Sequence, residues 1–460
     1  MRDFRGMHVL ILGGARQGVA LARFLSKLQA HVTLNDNQPD ENFSDLTQEL
    51  LGLGIQTCFG SHPLTLLEGC DLLCISGGVP LDLPIVQEAI RRRIPLSNDS
   101  QILLERLKTK TIGITGSAGK TTTTTMVGEI AKKACRNAQR AWIGGNIGTP
   151  LITYLDEIHS NDIVVLELSS FQLELMTLSP SIAAITNITP NHLDRHGTMQ
   201  AYTAAKARIL AHQGSHDTAI LNRENAEAWN LREMVHGRLI TFGMKEPQGD
   251  LPGTFLRDHS LWIKDGQRQQ ELCPVHAVQL RGEHNTLNAL AASAIAYAAG
   301  FPPDAIESGI HEVRGISHRL EFIRRWHGAD WYNDSIATTP ERTLAAIRSF
   351  HEPLVLLLGG RDKHLPWEEL AAEVHKRADH IILFGEAADL IYTALDAHEQ
   401  HQFPYTLDKA TSLSDAIQTA AGIVQEGDVV LLSPGGTSYD AFKDFEERGS
   451  LFKKLVEELQ

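Results

Sequence analysis

A compact group of glycine, lysine and threonine near residue 120 has the composition of a phosphate-binding loop. The segment GITGSAGKTTTTT places Gly-Lys-Thr at 119–121 as in a Walker A motif, but Ile114 stands where that motif has its first glycine. The nearest upstream glycine is Gly116, so the loop is shorter than the usual one. A β-branched strand before it and a helix after it would direct backbone N–H groups at phosphates. These residues alone also fit a glycine turn with a surface lysine.

Side chains on and near this loop add further chemistry. Lys120 would reach the terminal phosphates of a nucleotide, and the Thr121 hydroxyl could join the oxygen shell of a Mg²⁺ ion. Glu167 ends the apolar run VVLE, where a carboxylate costs free energy unless a metal or another partner compensates it. Together these residue types indicate a nucleotide site with a metal beside it.

His192 follows another apolar run, in the segment NITPNHLDRHG. A lone histidine is often structural, and the neighbouring Asp194 and His196 offer similar chemistry. The residues themselves therefore leave the role of His192 open.

A second glycine-rich turn lies near the N-terminus. The segment GGARQG has Ala15 in place of the middle glycine of a dinucleotide-binding fingerprint, and Asp36 ends the next predicted strand at the spacing that suits a ribose hydroxyl. This pattern fits a nucleotide diphosphate, and it also fits a nicotinamide-dependent oxidoreductase. The second nucleotide loop at residues 116–121 argues against the oxidoreductase.

The elements that must position these residues follow an α/β pattern. Short apolar runs alternate with helical patterns, which predicts parallel sheets covered by helices. The length of 460 residues exceeds one ordinary core and favours about three domains. We predict a Rossmann-like domain at 1–99, a central domain with a parallel sheet and a small antiparallel sheet at 100–313, and a second Rossmann-like domain at 314–460.

Composition restricts the classes of partner that the protein is expected to bind. The net charge of −14 argues against a nucleic-acid backbone as ligand. The five cysteines form no CxxC pair, which predicts reduced thiols and a cytoplasmic location. The sequence shows neither a signal peptide nor an apolar stretch of membrane-spanning length, so we expect no membrane partner.

The motifs taken together resemble the Mur ligase family over nearly the whole chain. Nine segments occur in that family's order: GITGSAGKTTTT, GGNIG, ELSSFQLE, NITPNHLDRH, AAKARI, GEHNTLNALAA, HRLE, YNDSIATTPE and SPGGTSYDAFKDFEERG. The resemblance is strongest to the members that join D-glutamate to UDP-N-acetylmuramoyl-L-alanine. It implies an ATP- and Mg²⁺-dependent ligase of peptidoglycan precursor synthesis that forms an amide through an acyl phosphate, and we expect a monomer.

The resemblance also assigns roles to residues. It implies catalysis by Lys120, Glu167, His192 and Lys206, and metal binding by Thr121, Glu167, His192 and Lys206 as a carbamate. It implies ATP binding by Gly116, Ser117, Ala118, Gly119, Lys120, Thr121, Thr122, Asn285, Asn288, Arg319 and Asp334. It implies binding of the UDP-substrate by Ala15, Arg16, Gln17, Asp36, Asn146 and Ser169, and of glutamate by Lys363, Ser438 and Phe445. Without the resemblance, the pattern favours a helix-surface lysine at position 206.

Two segments depart from the usual D-glutamate pattern. Ile336 replaces a lysine in DSIATTPE, and SPGGTS replaces SPACAS before Tyr439. Both changes leave the ligase chemistry in place and leave L-glutamate open as the alternative amino acid. A non-catalytic nucleotide-binding regulator is a third reading, which the presence of Glu167, His192 and Lys206 disfavours.

Overall fold

The computed structural model describes residues 2–315, 317–397 and 405–460. It divides into two compact units. The first unit comprises Met1–Val278 and Glu283–Glu312, and the second comprises Gln279–Gly282 and Val313–Gln460. The first unit contains two sheets and the second contains one, so each of the three predicted domains has a sheet of its own. The predicted boundaries near residues 99 and 313 stay predictions.

The N-terminal sheet of the first unit is entirely parallel and has the strand order β3-β2-β1-β4-β5. Its strands are His8–Leu12 (β1), His31–Asn35 (β2), Gln56–Cys58 (β3), Leu72–Ile75 (β4) and Leu96–Ser97 (β5). Its helices are Arg16–Lys27 (α1), Ser44–Gly52 (α2), Pro84–Arg91 (α3) and Asp99–Arg106 (α4). The order reverses between β1 and β4, where ligands bind in doubly wound sheets.

The second sheet of the first unit has nine strands. They are Lys110–Thr115 (β6), Ala141–Gly145 (β7), Ile163–Glu167 (β8), Ile182–Ile185 (β9), Thr218–Asn222 (β10), Arg238–Phe242 (β11), Gly253–Arg257 (β12), Ser260–Asp265 (β13) and Arg268–Pro274 (β14). Its helices are Lys120–Ala134 (α5), Ser170–Leu173 (α6), Leu193–His196 (α7), Met199–Ala211 (α8), Ala226–Asn230 (α9), Glu283–Ala299 (α10) and Pro303–Glu312 (α11).

The antiparallel strands predicted beside the parallel sheet extend that same sheet. The strand order is β14-β13-β12-β11-β10-β9-β6-β8-β7. Strand β12 pairs in parallel with β11, and β13 and β14 then continue as antiparallel hairpins. In the middle, β6 pairs in parallel with both β8 and β9. The carboxyl ends of these three strands therefore meet at one edge.

The sheet of the second unit has six strands in the order β15-β16-β20-β17-β18-β19. They are Glu321–Trp326 (β15), Ala329–Asn333 (β16), Leu354–Gly359 (β17), Ala378–Phe384 (β18), Thr406–Lys409 (β19) and Val429–Gly435 (β20). The helices are Pro340–Ile347 (α12), Glu368–Arg377 (α13), Ala388–Asp396 (α14), Leu413–Ile423 (α15) and Phe445–Glu457 (α16). All pairs are parallel except β15 with β16.

Hydrophobic packing explains why the two N-terminal sheets form one unit. The apolar core below β1 and β2 includes Ile102 of α4 and Ile152, a residue that follows β7. The second unit has separate apolar clusters on the two faces of its own sheet. Among the helices of the described residues, none combines the length and apolar composition that a bilayer crossing requires.

Candidate active site

The loop between β6 and α5 has a backbone that glycine alone fits at two positions. Gly119 has φ 78°, and a Cβ atom there would lie 2.3 Å from Oδ1 of Asn288. A Cβ atom on Gly116, with φ 155°, would lie 1.8 Å from Oγ1 of Thr186. The loop is therefore closely packed and is not a free surface turn.

The structure shows which part of the loop can receive an anion. The N–H groups of Ser117 and Ala118 donate to the backbone oxygen and to Oδ1 of Asn187, each at 2.9 Å. The N–H groups of a first helical turn are beyond the reach of the helix's own carbonyls, so the start of α5 from Lys120 to Thr122 is suited to bind an anion. The Nζ atom of Lys120 donates to the Gly116 oxygen at 2.9 Å, which holds this cation over the loop.

Glu167 lies beside the loop because β6 and β8 are parallel neighbours, with Glu167 paired to Ile114. Its side chain is buried. Oε2 accepts a hydrogen bond from the Thr121 hydroxyl at 2.8 Å, and Oε1 accepts one from Nδ2 of Asn146 at 2.9 Å. These bonds stabilise the buried carboxylate and gather three of the predicted site residues.

Lys206 lies inside the protein, so the reading of it as a helix-surface lysine is wrong. Its side chain, on α8, is 1% exposed, and Nζ donates to the oxygen of Gly116 at 2.8 Å. Nζ also lies 4.7 Å from the ring centre of Tyr202. Burial, together with the nearby charge of Lys120, lowers the pKa of Lys206 to about 6, and Glu167 partly opposes the change. The side chain is therefore largely an uncharged amine at neutral pH.

His192 occupies the exposed start of α7 in a left-handed conformation, with φ 53°. Its ring makes a T-shaped contact with Phe171, with 5.2 Å between ring centres. Within the part of the chain that the structure describes, no group of three or more His, Cys, Asp or Glu side chains is arranged to hold a metal. The oxygen atoms of Glu167 and Thr121 are hard donors of the kind Mg²⁺ prefers, whereas Lys206 would need to be a carbamate to act as a third.

A serine, a histidine and a glutamate next to the site have the hydrogen bonds of a hydrolase triad. Nε2 of His196 lies 3.0 Å from Oγ of Ser170, and Nδ1 lies 3.0 Å from Oε1 of Glu174. Ser170 is the buried first residue of α6, a four-residue helix, and its hydroxyl contacts His196 inside the protein. The three residues therefore fix local structure.

The residues predicted for the UDP-substrate surround a cleft of about 480 Å³ at the switch point of the N-terminal sheet. Ala15, Arg16, Gln17, Asp36 and Asn146 line it. Both carboxylate oxygens of Asp36 accept backbone N–H groups, from Gly14 at 2.7 Å and from Gln38 at 2.9 Å, so this side chain also shapes the glycine turn.

Two of the predicted UDP-substrate residues are engaged within the protein. Nε2 of Gln17 donates to the oxygen of Gly145 at 3.2 Å. Ser169 forms a capping box with Gln172 at the start of α6. The Gln17 side chain therefore holds the N-terminal glycine turn against the loop after β7, and the Ser169 side chain stabilises the start of α6. Among the described residues that line the cleft, Ser169 is not included.

Asn285 and Asn288 lie together near the start of α10. Nδ2 of Asn288 donates to Oδ1 of Asn285 at 3.1 Å, and Asn288 packs against Gly119 of the phosphate loop. Both predicted ATP residues of this helix are therefore beside the loop.

In the second unit, predicted site residues gather at the carboxyl ends of the parallel strands. Asp334 follows β16 and accepts hydrogen bonds from Leu320 N–H at 3.2 Å and from the Ser433 hydroxyl at 2.8 Å. Burial raises the pKa of Asp334 to about 7, because it outweighs the opposing effect of these bonds and of the charges of Arg319 and Arg342.

The predicted glutamate residues follow β17 and β20 in the same unit. Lys363 is exposed, and burial of part of its side chain together with the charge of Arg342 lowers its pKa. Ser438 is buried after β20, and Phe445 begins α16. Lys363 and Ser438 thus lie on loops that follow two parallel strands, and Phe445 lies at the start of the helix after β20.

The sequence reasoning missed Arg448, which is fully buried in the second unit. Its guanidinium donates to the oxygen of Ser335 at 2.9 Å and to the oxygen of Gly436 at 3.2 Å. It thereby ties the segment after β16 to the segment after β20. Its position in DFEERG carried no signal, because a charged residue among charged neighbours on a helix resembles a surface residue.

Asn187 and Tyr202 were also missed, and both hold the phosphate loop. The Tyr202 hydroxyl lies 3.0 Å from Oγ of Ser117. The position of Asn187, directly after a buried strand like Glu167, was a usable signal for it.

Comparison with known proteins matches all three sheets to domains of one family. The chain matches the Mur ligase MurD-like N-terminal domain at residues 7–97, the Mur ligase middle domain at 114–296 and the Mur ligase glutamate ligase domain at 318–436.

Curated relatives match the chain over its full length. The UDP-N-acetylmuramoylalanine–D-glutamate ligase of Pelotomaculum thermopropionicum is 37% identical, with 99% of this chain and 98% of the relative covered. The ligases of the same name from Koribacter versatilis and Thermoanaerobacter sp. are 37% and 35% identical. The first covers 99% of this chain and 98% of the relative, and the second covers 100% of both.

Solved structures show the same fold. The UDP-N-acetylmuramate–alanine ligase MurC of Thermotoga maritima aligns with a TM-score of 0.61 at 21% identity, over 98% of this chain and 99% of that one. A pseudomurein peptide ligase type C of Methanothermus fervidus aligns with a TM-score of 0.56 at 17% identity, over 99% and 100%. The predicted α/β fold of three domains is thereby confirmed, with one mixed sheet in the middle domain.

Proposed function

Because this chain belongs to the Mur ligase family, we propose that it joins D-glutamate to UDP-N-acetylmuramoyl-L-alanine with consumption of ATP, in peptidoglycan precursor synthesis. The observation that carries the proposal is the meeting of Lys120, Glu167 and Lys206 around one phosphate loop. The nicotinamide-dependent oxidoreductase is set aside, since full-length relatives named as ligases give it no support.

The chemistry begins with a carboxylate that is a poor electrophile. Transfer of the γ-phosphoryl group of ATP to the carboxylate of the UDP-substrate creates an acyl phosphate, and the glutamate amine then displaces phosphate to form an amide. Backbone N–H groups at the start of α5 bind the phosphates, and Lys120 neutralises charge that develops on the transferred group.

The metal assignment rests on the oxygen donors beside the loop. Glu167 and Thr121 would hold Mg²⁺ together with His192 and a carbamylated Lys206, and the ion would neutralise phosphate oxygens when bound. The uncharged state of Lys206 favours carbamate formation, since the free amine is the form that reacts with CO₂.

The proposed substrate-binding residues are assigned separately for each of the two units. In the first unit, the cleft lined by Ala15–Gln17, Asp36 and Asn146 is proposed to bind the UDP-substrate, with Ser169 and Gln17 bracing it. For the second unit, the proposal assigns glutamate to Lys363, Ser438 and Phe445, and ATP to Arg319 and Asp334. We further propose that the protein acts as a monomer in the cytoplasm, where ATP and UDP-linked precursors are available.

Glutamate suits the second unit because its two carboxylates need cations and donors. Lys363 and the Ser438 hydroxyl supply them, and an uncharged amino acid would leave them without a partner. The names of the relatives favour the D-enantiomer.

The decisive experiment measures phosphate release from ATP with UDP-N-acetylmuramoyl-L-alanine and a panel of amino acids. We expect activity with D-glutamate and little with L-glutamate, D-aspartate or glycine. Activity with L-glutamate alone would overturn the stereochemical assignment and keep the ligase mechanism. Phosphate release that is independent of the UDP-substrate would overturn the function itself.

A further inference from the structure

Two side chains connect the loops of the two sheets in the first unit at the wall of the UDP-substrate cleft. Nη1 of Arg195 donates to the oxygen of Gly78 at 3.1 Å, and Nη2 donates to the oxygen of Val79 at 3.1 Å. On another side, Gln17 donates to Gly145. Gly78, Val79 and Gly145 all line the cleft.

Arg195 is itself held in place by an aromatic ring. It lies on α7, three residues after His192, and its guanidinium carbon is 4.4 Å from the ring centre of Phe171. The ring of His196 stacks on Phe171 at 5.2 Å with an angle of 4° between the planes. His192 makes a T-shaped contact with the same ring. Arg195 thus connects the cleft wall to the segment that carries His192, and Phe171 packs against both side chains.

The wall itself is a loop anchored at Ser76, whose N–H donates to the Leu12 oxygen, and at Val79, which packs against the apolar residues of the N-terminal sheet. Residues 76–80 follow β4 as a turn, closed by a hydrogen bond from Val79 N–H to the Ser76 oxygen. Gly78 is exposed, and a Cβ atom there would meet nothing within 4 Å. The planar guanidinium offers two N–H donors at a fixed spacing to these two successive carbonyl oxygens, and the ammonium of a shorter lysine has no such fixed geometry.

We propose that Arg195 is a positioning residue that sets the Gly78–Val79 wall of the UDP-substrate cleft against the His192 segment. Arg195 contacts neither the phosphate loop nor any substrate in this role. The proposal rests on the proposed function for the identity of the ligand, and its structural part is independent of that function.

The test compares Arg195→Met and Arg195→Lys with a matched control. Arg232 serves as the control, because its guanidinium also lies over an aromatic ring, that of Trp229 at 5.0 Å, and donates to a backbone oxygen. Arg232 does not line the cleft. Calorimetric titration measures the Kd of UDP-N-acetylmuramoyl-L-alanine and, separately, of a non-hydrolysable ATP analogue.

We expect Arg195→Met to raise the Kd of the UDP-substrate about tenfold and to change the Kd of the ATP analogue less than about twofold. Arg195→Lys should change the two Kd values in the same way as Arg195→Met, and Arg232→Met should change neither Kd. An unchanged Kd for the UDP-substrate, or equal weakening of both ligands, would overturn the proposal.

Amide hydrogen exchange of residues 76–80 supplies a readout that needs no ligand. Exchange should become faster in Arg195→Met than in wild type and stay unchanged in Arg232→Met. If the wild type fails to bind the UDP-substrate, the proposed function fails while this result still decides the role of Arg195. Unchanged exchange in Arg195→Met overturns the positioning role whatever the substrate is.

Discussion

Lys206 shows how burial changes the chemistry of a single side chain. The sequence places it in AAKARI on an amphipathic helix, where a lysine is usually solvated. Burial at 1% exposure lowers its pKa to about 6. Periodicity could not reveal this, because the burial comes from β6 and its loop, which are distant in sequence.

We expect the unmodified protein to gain stability with rising pH because of Lys206. The pKa of this lysine is about 6 in the folded state and about 10.4 in the unfolded chain, so between these values the unfolded state binds the extra proton. Folding stability should therefore rise across this window by up to about 1.4 kcal/mol per pH unit. Below about pH 6, Lys206 is protonated in both the folded and the unfolded state, so it no longer makes the folding stability depend on pH.

Urea unfolding in CO₂-free buffer at about pH 6.5 and about pH 8.5 measures the difference for wild type and for Lys206→Met. The variant should lose this part of the pH dependence. An equal pH dependence in both proteins would show that Lys206 titrates normally.

Carbamylation of Lys206 leads to a separate expectation. We expect Lys206→Ala to lose most activity and to regain part of it with formate or acetate, since a small carboxylate can take the place of the carbamate oxygens. Lys120→Ala should show no such rescue, because its missing group is a cation. Full activity of Lys206→Ala without an additive would exclude the carbamate.

Lys120→Ala should reduce phosphate release by about 10²–10³-fold while the protein stays folded, because it removes a charge directed at the transferred phosphoryl group. Lys132→Ala is the control on the same helix, where the exposed Lys132 pairs with Glu129. Near-normal turnover of a folded Lys120→Ala protein would contradict the nucleotide assignment. Circular dichroism establishes that both variants are folded.

At the level of helices and strands, the pattern of apolar residues in the sequence predicts some strands well and misses others. Apolar runs correctly predicted β6 and β8, because both strands are buried on both faces of a mainly parallel sheet. The strands Gln56–Cys58 and Thr406–Lys409 were missed, since they are short, polar and at sheet edges. Glu321–Trp326 was missed because its arginines interrupt the apolar run.

For the candidate site too, the sequence predicts residues at the ends of buried strands and does not predict contacts between distant segments. Gly116, Lys120 and Glu167 meet as predicted, because the carboxyl ends of parallel strands share an edge. Gln17 and Arg448 act through backbone carbonyls of distant segments, and their partners leave no pattern in the sequence.

Gly119→Ala tests the loop as an element. Gly119 and Gly300 have nearly equal φ values of 78° and 80°, but only Gly119 faces a close neighbour, Asn288. Gly300→Ala should cost about 1–2 kcal/mol of stability from backbone strain alone. Gly119→Ala should cost more and should also weaken binding of an ATP analogue.

Thermal unfolding and calorimetric titration of both variants check this expectation. Equal loss of stability in the two variants, with ATP-analogue binding intact in Gly119→Ala, would contradict the close packing of the loop.

Because the two units have separate apolar cores, we expect them to unfold in separate steps. The first unit shares one apolar core between the N-terminal sheet and Ile102 and Ile152, and the second unit has its own clusters. We therefore expect two transitions in scanning calorimetry. The UDP-substrate binds the first unit in our proposal, so at about 100 times its Kd it should stabilise that transition by about 2.7 kcal/mol and leave the other unchanged.

A single transition, or an equal shift of both, would contradict this assignment. Limited proteolysis followed by mass spectrometry identifies which transition belongs to which unit.

The end of the nine-stranded sheet has a consequence for behaviour in concentrated solution. Strand β14 forms one edge of that sheet, and an unpaired edge invites the sheet of another molecule to add to it. Here the exposed positions carry Arg268, Gln269 and Glu271, and Pro274 at the end of the strand has no N–H to donate. Charge and a missing donor thus oppose sheet-to-sheet aggregation at this edge, so a large sheet can end in water without joining chains into fibrils.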